Sequence, residues 1–149
     1  MTQNIARSEV KLLTRLSDYL NLSAKCPYAK HTDAGLTKAT HVIRYTNEAK
    51  RLVPTGRHIT FVPFVMITED ATERDIDECV EAGIVNGKFF PRDRTTKSER
   101  GIVRYGRILP IVKHCGKVGM KCHYHPEHPW MRFINRDAEF AFLPIARMY

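Results

Sequence analysis

The run Ile59-Thr60-Phe61-Val62-Pro63-Phe64-Val65-Met66-Ile67 constrains the fold more than any other segment. It is apolar at both odd and even positions, so a strand built from it has no face suited to water. Strands of this kind belong in parallel sheets covered by helices. Pro63 cannot donate to a ladder, which predicts a bulge or an edge at that point.

The flanking segments supply the helices that such a strand needs. Val10, Leu13, Leu16 and Leu20 recur at helical spacing across Ser8 to Leu20, and a short strand is expected from Ser23 to Ala29. The spacing predicts a second helix over Thr37 to Leu52, with Ala39, Ile43, Thr46 and Ala49 on one side, broken by Pro54-Thr55-Gly56. Thr72 and Asp75 have the spacing of a capping box, opening a helix to about Ala82 with Gly83 just beyond it.

Ile84 to Phe90 is the next predicted strand, stopped by Pro91. Tyr105 to Lys117 follows as a helix with Ile108, Leu109, Val112 and Cys115 on its apolar stripe. Pro110 is expected in its first turn or at a kink, and Gly116 with Gly119 at its end. Met120 to His125 completes the strands, and a last helix begins near Asn135, shortened or bent by Pro144. Strands alternating with helices define an α/β chain of βα units around a parallel sheet.

Length and composition set limits on function. The 149 residues are read as one domain, 1–149, and a hydrophobic fraction of 43% with 27% charge suits a soluble globular chain. No apolar run approaches the roughly 20 residues that span a bilayer, and the opening residues lack the apolar core of a secretory signal. A cytoplasmic location without membrane contact is therefore expected. Cys26, Cys79, Cys115 and Cys122 form no CxxC pair and are expected as reduced, buried thiols. The net charge of +8 favours acidic partners, but it is spread without a basic tail or interleaved aromatics. A solvated basic surface accounts for it more simply than a dedicated nucleic-acid site.

Few residues carry chemistry. Lys88 closes a buried strand, where a charged amine needs a partner; a salt bridge or an outward reach to solvent is the ordinary alternative. His123 and His125 alternate onto one strand face in a His-x-His arrangement suited to a metal, with Cys122 and His128 nearby. A structural, hydrogen-bonded histidine is the competing role for either one.

Gly87-Lys88-Phe89-Phe90-Pro91, Thr95-Thr96-Lys97-Ser98-Glu99-Arg100-Gly101, Ile108-Leu109-Pro110-Ile111-Val112, Gly119-Met120, His125-Pro126-Glu127 and Asn135-Arg136-Asp137-Ala138-Glu139-Phe140 together resemble the bacterial dihydroorotases, of the amidohydrolase superfamily. Cys26-Pro27 fits the same pattern, and the resemblance runs in order from about Val10 to Phe140. It implies a (β/α)8 barrel with its site at the C-terminal strand ends. It also implies zinc-dependent interconversion of dihydroorotate and carbamoyl aspartate in pyrimidine synthesis. Lys88 would match the carboxylated lysine that bridges two zinc ions, and His125 the next metal-binding histidine.

Several family features have no counterpart. Nothing upstream of Val10 matches the first strand with its His-x-His pair and arginine. Tyr28 replaces a substrate-binding asparagine, Pro126 replaces a glycine, and the chain ends before the family's later histidine and catalytic aspartate. The expectation is a partial, TIM-like half barrel that holds zinc weakly or not at all through Lys88, His125 and His123. Such a chain would be inactive alone and would act as a homo-oligomer or with a protein partner that covers its sheet edges. The alternatives are a cyclic-amide hydrolase completed by a second chain, and a basic nucleic-acid-binding module on a remnant of the fold.

Overall fold

The computed structural model describes residues 24–28, 35–57, 59–94, 98–130 and 135–148. The predicted helix from Ser8 to Leu20 and the Thr95-Thr96-Lys97 motif lie outside the described residues. Among these residues the elements follow in the order β1 (Ala24–Tyr28), α1 (Ala39–Arg51), β2 (Ile59–Pro63), β3 (Val65–Ile67), α2 (Glu73–Glu81), β4 (Asn86–Phe89), α3 (Tyr105–Val118), β5 (Lys121–Tyr124) and α4 (Asn135–Ala146).

Every pairing is parallel: β1 with β2, β3 with β4, and β4 with β5. The long apolar run is thus one line of chain divided at Phe64 into β2 and β3, beside the proline that lacks a ladder donor. Each half serves a different neighbour, giving a two-stranded sheet in the order β1-β2 and a three-stranded sheet in the order β3-β4-β5. Helices complete the connections, as parallel strands require. This is the α/β architecture of parallel βα units that the alternation predicted, and it agrees with the partial barrel that the resemblance implied.

Local chemistry explains the element ends. Thr72 accepts from the Asp75 N–H at 3.2 Å while the Asp75 carboxylate accepts from the Thr72 N–H at 2.9 Å, the reciprocal capping box of α2. Gly119 caps α3 at φ 79°, a left-handed conformation in which glycine bears no Cβ penalty. Gly116, predicted to help end α3, lies inside it. Pro110 sits in the second turn, not the first; it and Gly106, whose carbonyl loses its i+4 donor, are both exposed, so the missing bond lies on the solvent side of the helix. Pro144 likewise lies inside α4.

The main core fills the space between the sheet and its helices. Val65, Ile67 and Phe89 pack there against Val42, Tyr45, Ile76, Ile108 and Cys115. The buried stripe of α1 is Ala39, Val42, Tyr45 and Ala49; Ile43 is exposed instead, a shift of phase from the predicted side. Both settings share Ala39 and Ala49, and the larger side chain of Tyr45 decides which one buries more surface. On α3, Ile111 takes the buried place expected of Leu109 and Val112. A small second cluster, Met66 and Phe90 with Phe64, lies apart from the main core.

Candidate functional site

Strand alternation places Met66, Lys88 and His123 in one row across β3, β4 and β5, because Met66 pairs with Lys88 and Lys88 with His123. Their neighbours Ile67, Phe89 and Tyr124 form the next row, on the helix-covered face. The site therefore occupies the side of the sheet away from the helices.

Lys88 Nζ donates to the Tyr124 carbonyl at 3.0 Å and stands 5.5 Å from the centre of the Phe90 ring. Among the described residues no carboxylate forms an ion pair with it. Burial pushes its pKa down, so the amine loses its proton more readily than a lysine in water. That is the state a lysine needs in order to act as a nucleophile.

His123 packs edge-on against Phe64, with ring centres 4.8 Å apart. Its Nε2 meets Asn86 Oδ1 at 3.2 Å, while the Asn86 amide donates to the Pro63 carbonyl at 3.4 Å. Since that amide oxygen only accepts, Nε2 carries the proton and Nδ1 the lone pair. Burial first, then the charges of Lys88 and Lys121, hold the His123 pKa below its ordinary value.

His125 lies just past β5, its N–H donating to the Phe89 carbonyl at 2.9 Å. Its Nε2 meets Glu127 Oε2 at 2.7 Å, and its ring centre is 6.2 Å from that of Phe90. A carboxylate on the outer nitrogen is the arrangement that orients metal-binding imidazoles and leaves Nδ1 available. Lys88 and His125 thus both lie against the Phe90 ring. His123 lies within β5 and His125 just past its end, and the two predicted His-x-His rings have separate partners, Asn86 and Glu127.

Two further candidates leave the site. Cys122 alternates away from His123 to pack against the main core, where the Cys115 thiol donates to Met120 Sδ at 3.8 Å; interaction with the Cys115 thiol first, with burial opposing, lowers the Cys122 pKa. Interaction with Cys122 and burial raise the Cys115 pKa. His128 uses Nδ1 to accept the Trp130 N–H at 3.3 Å. Among the described residues no three His, Cys, Asp or Glu side chains converge as a metal-binding group. Lys88 and His125 are each suited to ligation, but the described residues do not by themselves make a two-zinc centre. Asn86 and Glu127 were not predicted as orienting residues. Asn86 could have been found from its period-2 spacing to Lys88, and Glu127 from its position across Pro126 from His125.

These features define an α/β chain of parallel βα units with Lys88 and His123 half-buried on the sheet face away from its helices. Known proteins extend the description. No family model matches the chain. It is 30% identical over 108 residues to the dihydroorotase of Shewanella sediminis, covering 72% of this chain and 31% of that protein. With the dihydroorotase of Shewanella pealeana the identity is 28% over 117 residues, 76% of this chain and 33% of the relative. The chain spans about a third of the length of these curated relatives.

Its fold is similar to that of dihydroorotase from Saccharomyces cerevisiae, solved in complex with 5-fluoroorotic acid, with a TM-score of 0.71 at 23% identity over 83% of this chain and 36% of that one. The Campylobacter jejuni dihydroorotase gives the same TM-score at 14% identity, covering 83% of this chain and 35% of its own. The chain is dihydroorotase-like in sequence and in fold over the part it shares with these proteins. No helix among the described residues is long and apolar enough to cross a membrane.

Proposed function

We propose that this chain is a dihydroorotase-related polypeptide whose open sheet face offers Lys88, His125 and His123 toward a zinc centre that it does not complete alone. The observation that carries the reading is the state of Lys88. It is desolvated, unpaired by any described carboxylate, and set beside His123 in the strand row and the Phe90 ring that His125 also faces. Further ligands come from additional polypeptide, either a second copy of this chain or a protein partner.

Two surfaces support association. Among the described residues β1 pairs only with β2 and β5 only with β4, so the outer edges of both need cover. Phe140 and Leu143, one turn apart on α4, are 73% and 51% exposed while Phe142 between them is buried against Tyr105 and Tyr124. That apolar stripe lies on the helix packed against the edge strand β5.

Zinc analysis, dihydroorotate turnover and light scattering of the purified chain test this together. The expected outcome is substoichiometric zinc that falls further in Lys88→Ala, no turnover, and self-association or capture by a complementing polypeptide. A monomer holding two zinc ions and turning over dihydroorotate would falsify the proposal.

A further inference from the structure

The loops beyond β4 and β5 enclose a cavity of about 260 Å³ lined by Arg92, Asp93, Arg94, Val103, Pro129 and Trp130. We infer that this cavity is a binding site for a small aromatic carboxylate, held by Arg92 and Arg94 with its ring against Trp130. The inference stands on this cavity alone and is independent of the dihydroorotase reading.

The loop is built to hold that geometry. Arg92 N–H donates to the Ile102 carbonyl at 3.1 Å and Asp93 N–H to the Ser98 carbonyl at 3.3 Å. Gly101 permits this approach: a Cβ there would lie 2.7 Å from Arg92 N and from the Phe90 carbonyl oxygen. Asp93 adopts φ 57°, a left-handed conformation that aspartate tolerates better than most residues, and turns the chain between the two arginines. Arg94 Nη2 then donates to the Pro129 carbonyl at 3.2 Å, joining this loop to the one that carries Trp130.

The chemistry of the lining selects the ligand class. Among the described residues neither Arg92 nor Arg94 forms an ion pair. Glu69 lies close enough to Arg92 to feel its charge, but its Oε1 is committed to the N–H groups of Val103 and Arg104 at 2.7 and 2.6 Å. Guanidinium forks match a carboxylate, and indole faces favour flat rings. A flat ring against Trp130 gives such a carboxylate a contact that inorganic phosphate lacks. The volume falls below the roughly 300–1,000 Å³ of drug-sized pockets, which limits the ligand to a small one.

Trp130 is the chain's single tryptophan and is 69% exposed, so its fluorescence reports directly on the cavity. The test titrates the intact chain with benzoate, benzamide and inorganic phosphate, and uses free N-acetyltryptophanamide as the quenching control. Saturable change with benzoate, at least about tenfold weaker with benzamide or in Arg92→Ala, and largely retained in Arg92→Lys, is the expected result. Phosphate should displace benzoate only weakly. Equal responses to benzoate and benzamide, tighter binding of phosphate, or no saturation beyond the control would overturn the site. So would unchanged affinity in Arg92→Ala with an intact circular dichroism spectrum. Should Arg94→Ala unfold, the exposed Arg92 variants still decide the matter.

Discussion

Ile67, Phe89 and Tyr124 cross three strands on the face that the helices cover; Met66, Lys88 and His123 cross the same strands on the other. The first row is dry, with Phe89 and Tyr124 stacked at 4.8 Å and Phe89 fully buried. The second places a desolvated amine and an imidazole beside a small apolar cluster of Met66, Phe90 and Phe64. One sheet therefore separates its tasks by face: apolar burial on one side stabilises the fold, while the other tolerates groups that burial penalises. Strand alternation achieves this division with residues adjacent in sequence.

The largest expected effect tests the stabilising face. Phe89→Ala removes a fully buried ring and should cost about 3–5 kcal/mol in urea unfolding. A loss no greater than that of a surface substitution would collapse the distinction between the faces. Thr72→Ala, which removes one half of the cap of a covering helix, should cost about 1 kcal/mol by the same measurement. Unchanged stability there would mean that α2 does not depend on its capping box.

Lys88→Met should have the opposite sign and a smaller size. Burial lowers the amine's folded pKa below the ordinary value of 10.5, so the unfolded chain binds more protons between the two values and wild-type stability rises with pH across that interval. The variant should therefore melt higher at pH 7, and its advantage should shrink above pH 10.5. Destabilisation at both pH values would show that the bond to the Tyr124 carbonyl outweighs desolvation.

His123 should give the smallest effect. Its folded pKa is held below 6.5, so its neutral form favours folding above 6.5 and that contribution is lost as pH falls through the folded value. His123→Gln should flatten the acid side of the stability profile between pH 7 and 5. An unaltered profile would assign the acid sensitivity to other groups.

Much of the fold was legible because its signals are local. Thr72 and Asp75 announce the start of α2 within four residues, Gly83 its end and Gly119 that of α3, and the two-sided apolar run a covered strand. The phase of α1 was not legible: Ala39 and Ala49 fit either stripe, and only the packing of Val42 and Tyr45 against the sheet chose between them. Lys88, His123 and His125 were legible as candidates by residue type and position. Their separate partners were not, since Asn86, itself held by the Pro63 carbonyl, and Phe64 reach His123 across strands, whereas Glu127 turns back on His125 beyond the strand end.

By itself the sequence determined the order of strands and helices, the parallel α/β class and the dihydroorotase resemblance, because periodicity, caps and motifs act over a few residues. Tertiary structure alone decided that the two halves of the long apolar run pair with different neighbours, that His123 and His125 take separate partners and that Arg92, Arg94 and Trp130 share a cavity. Those outcomes depend on contacts between segments tens of residues apart, whose geometry is set by pairing register and by competition for buried space.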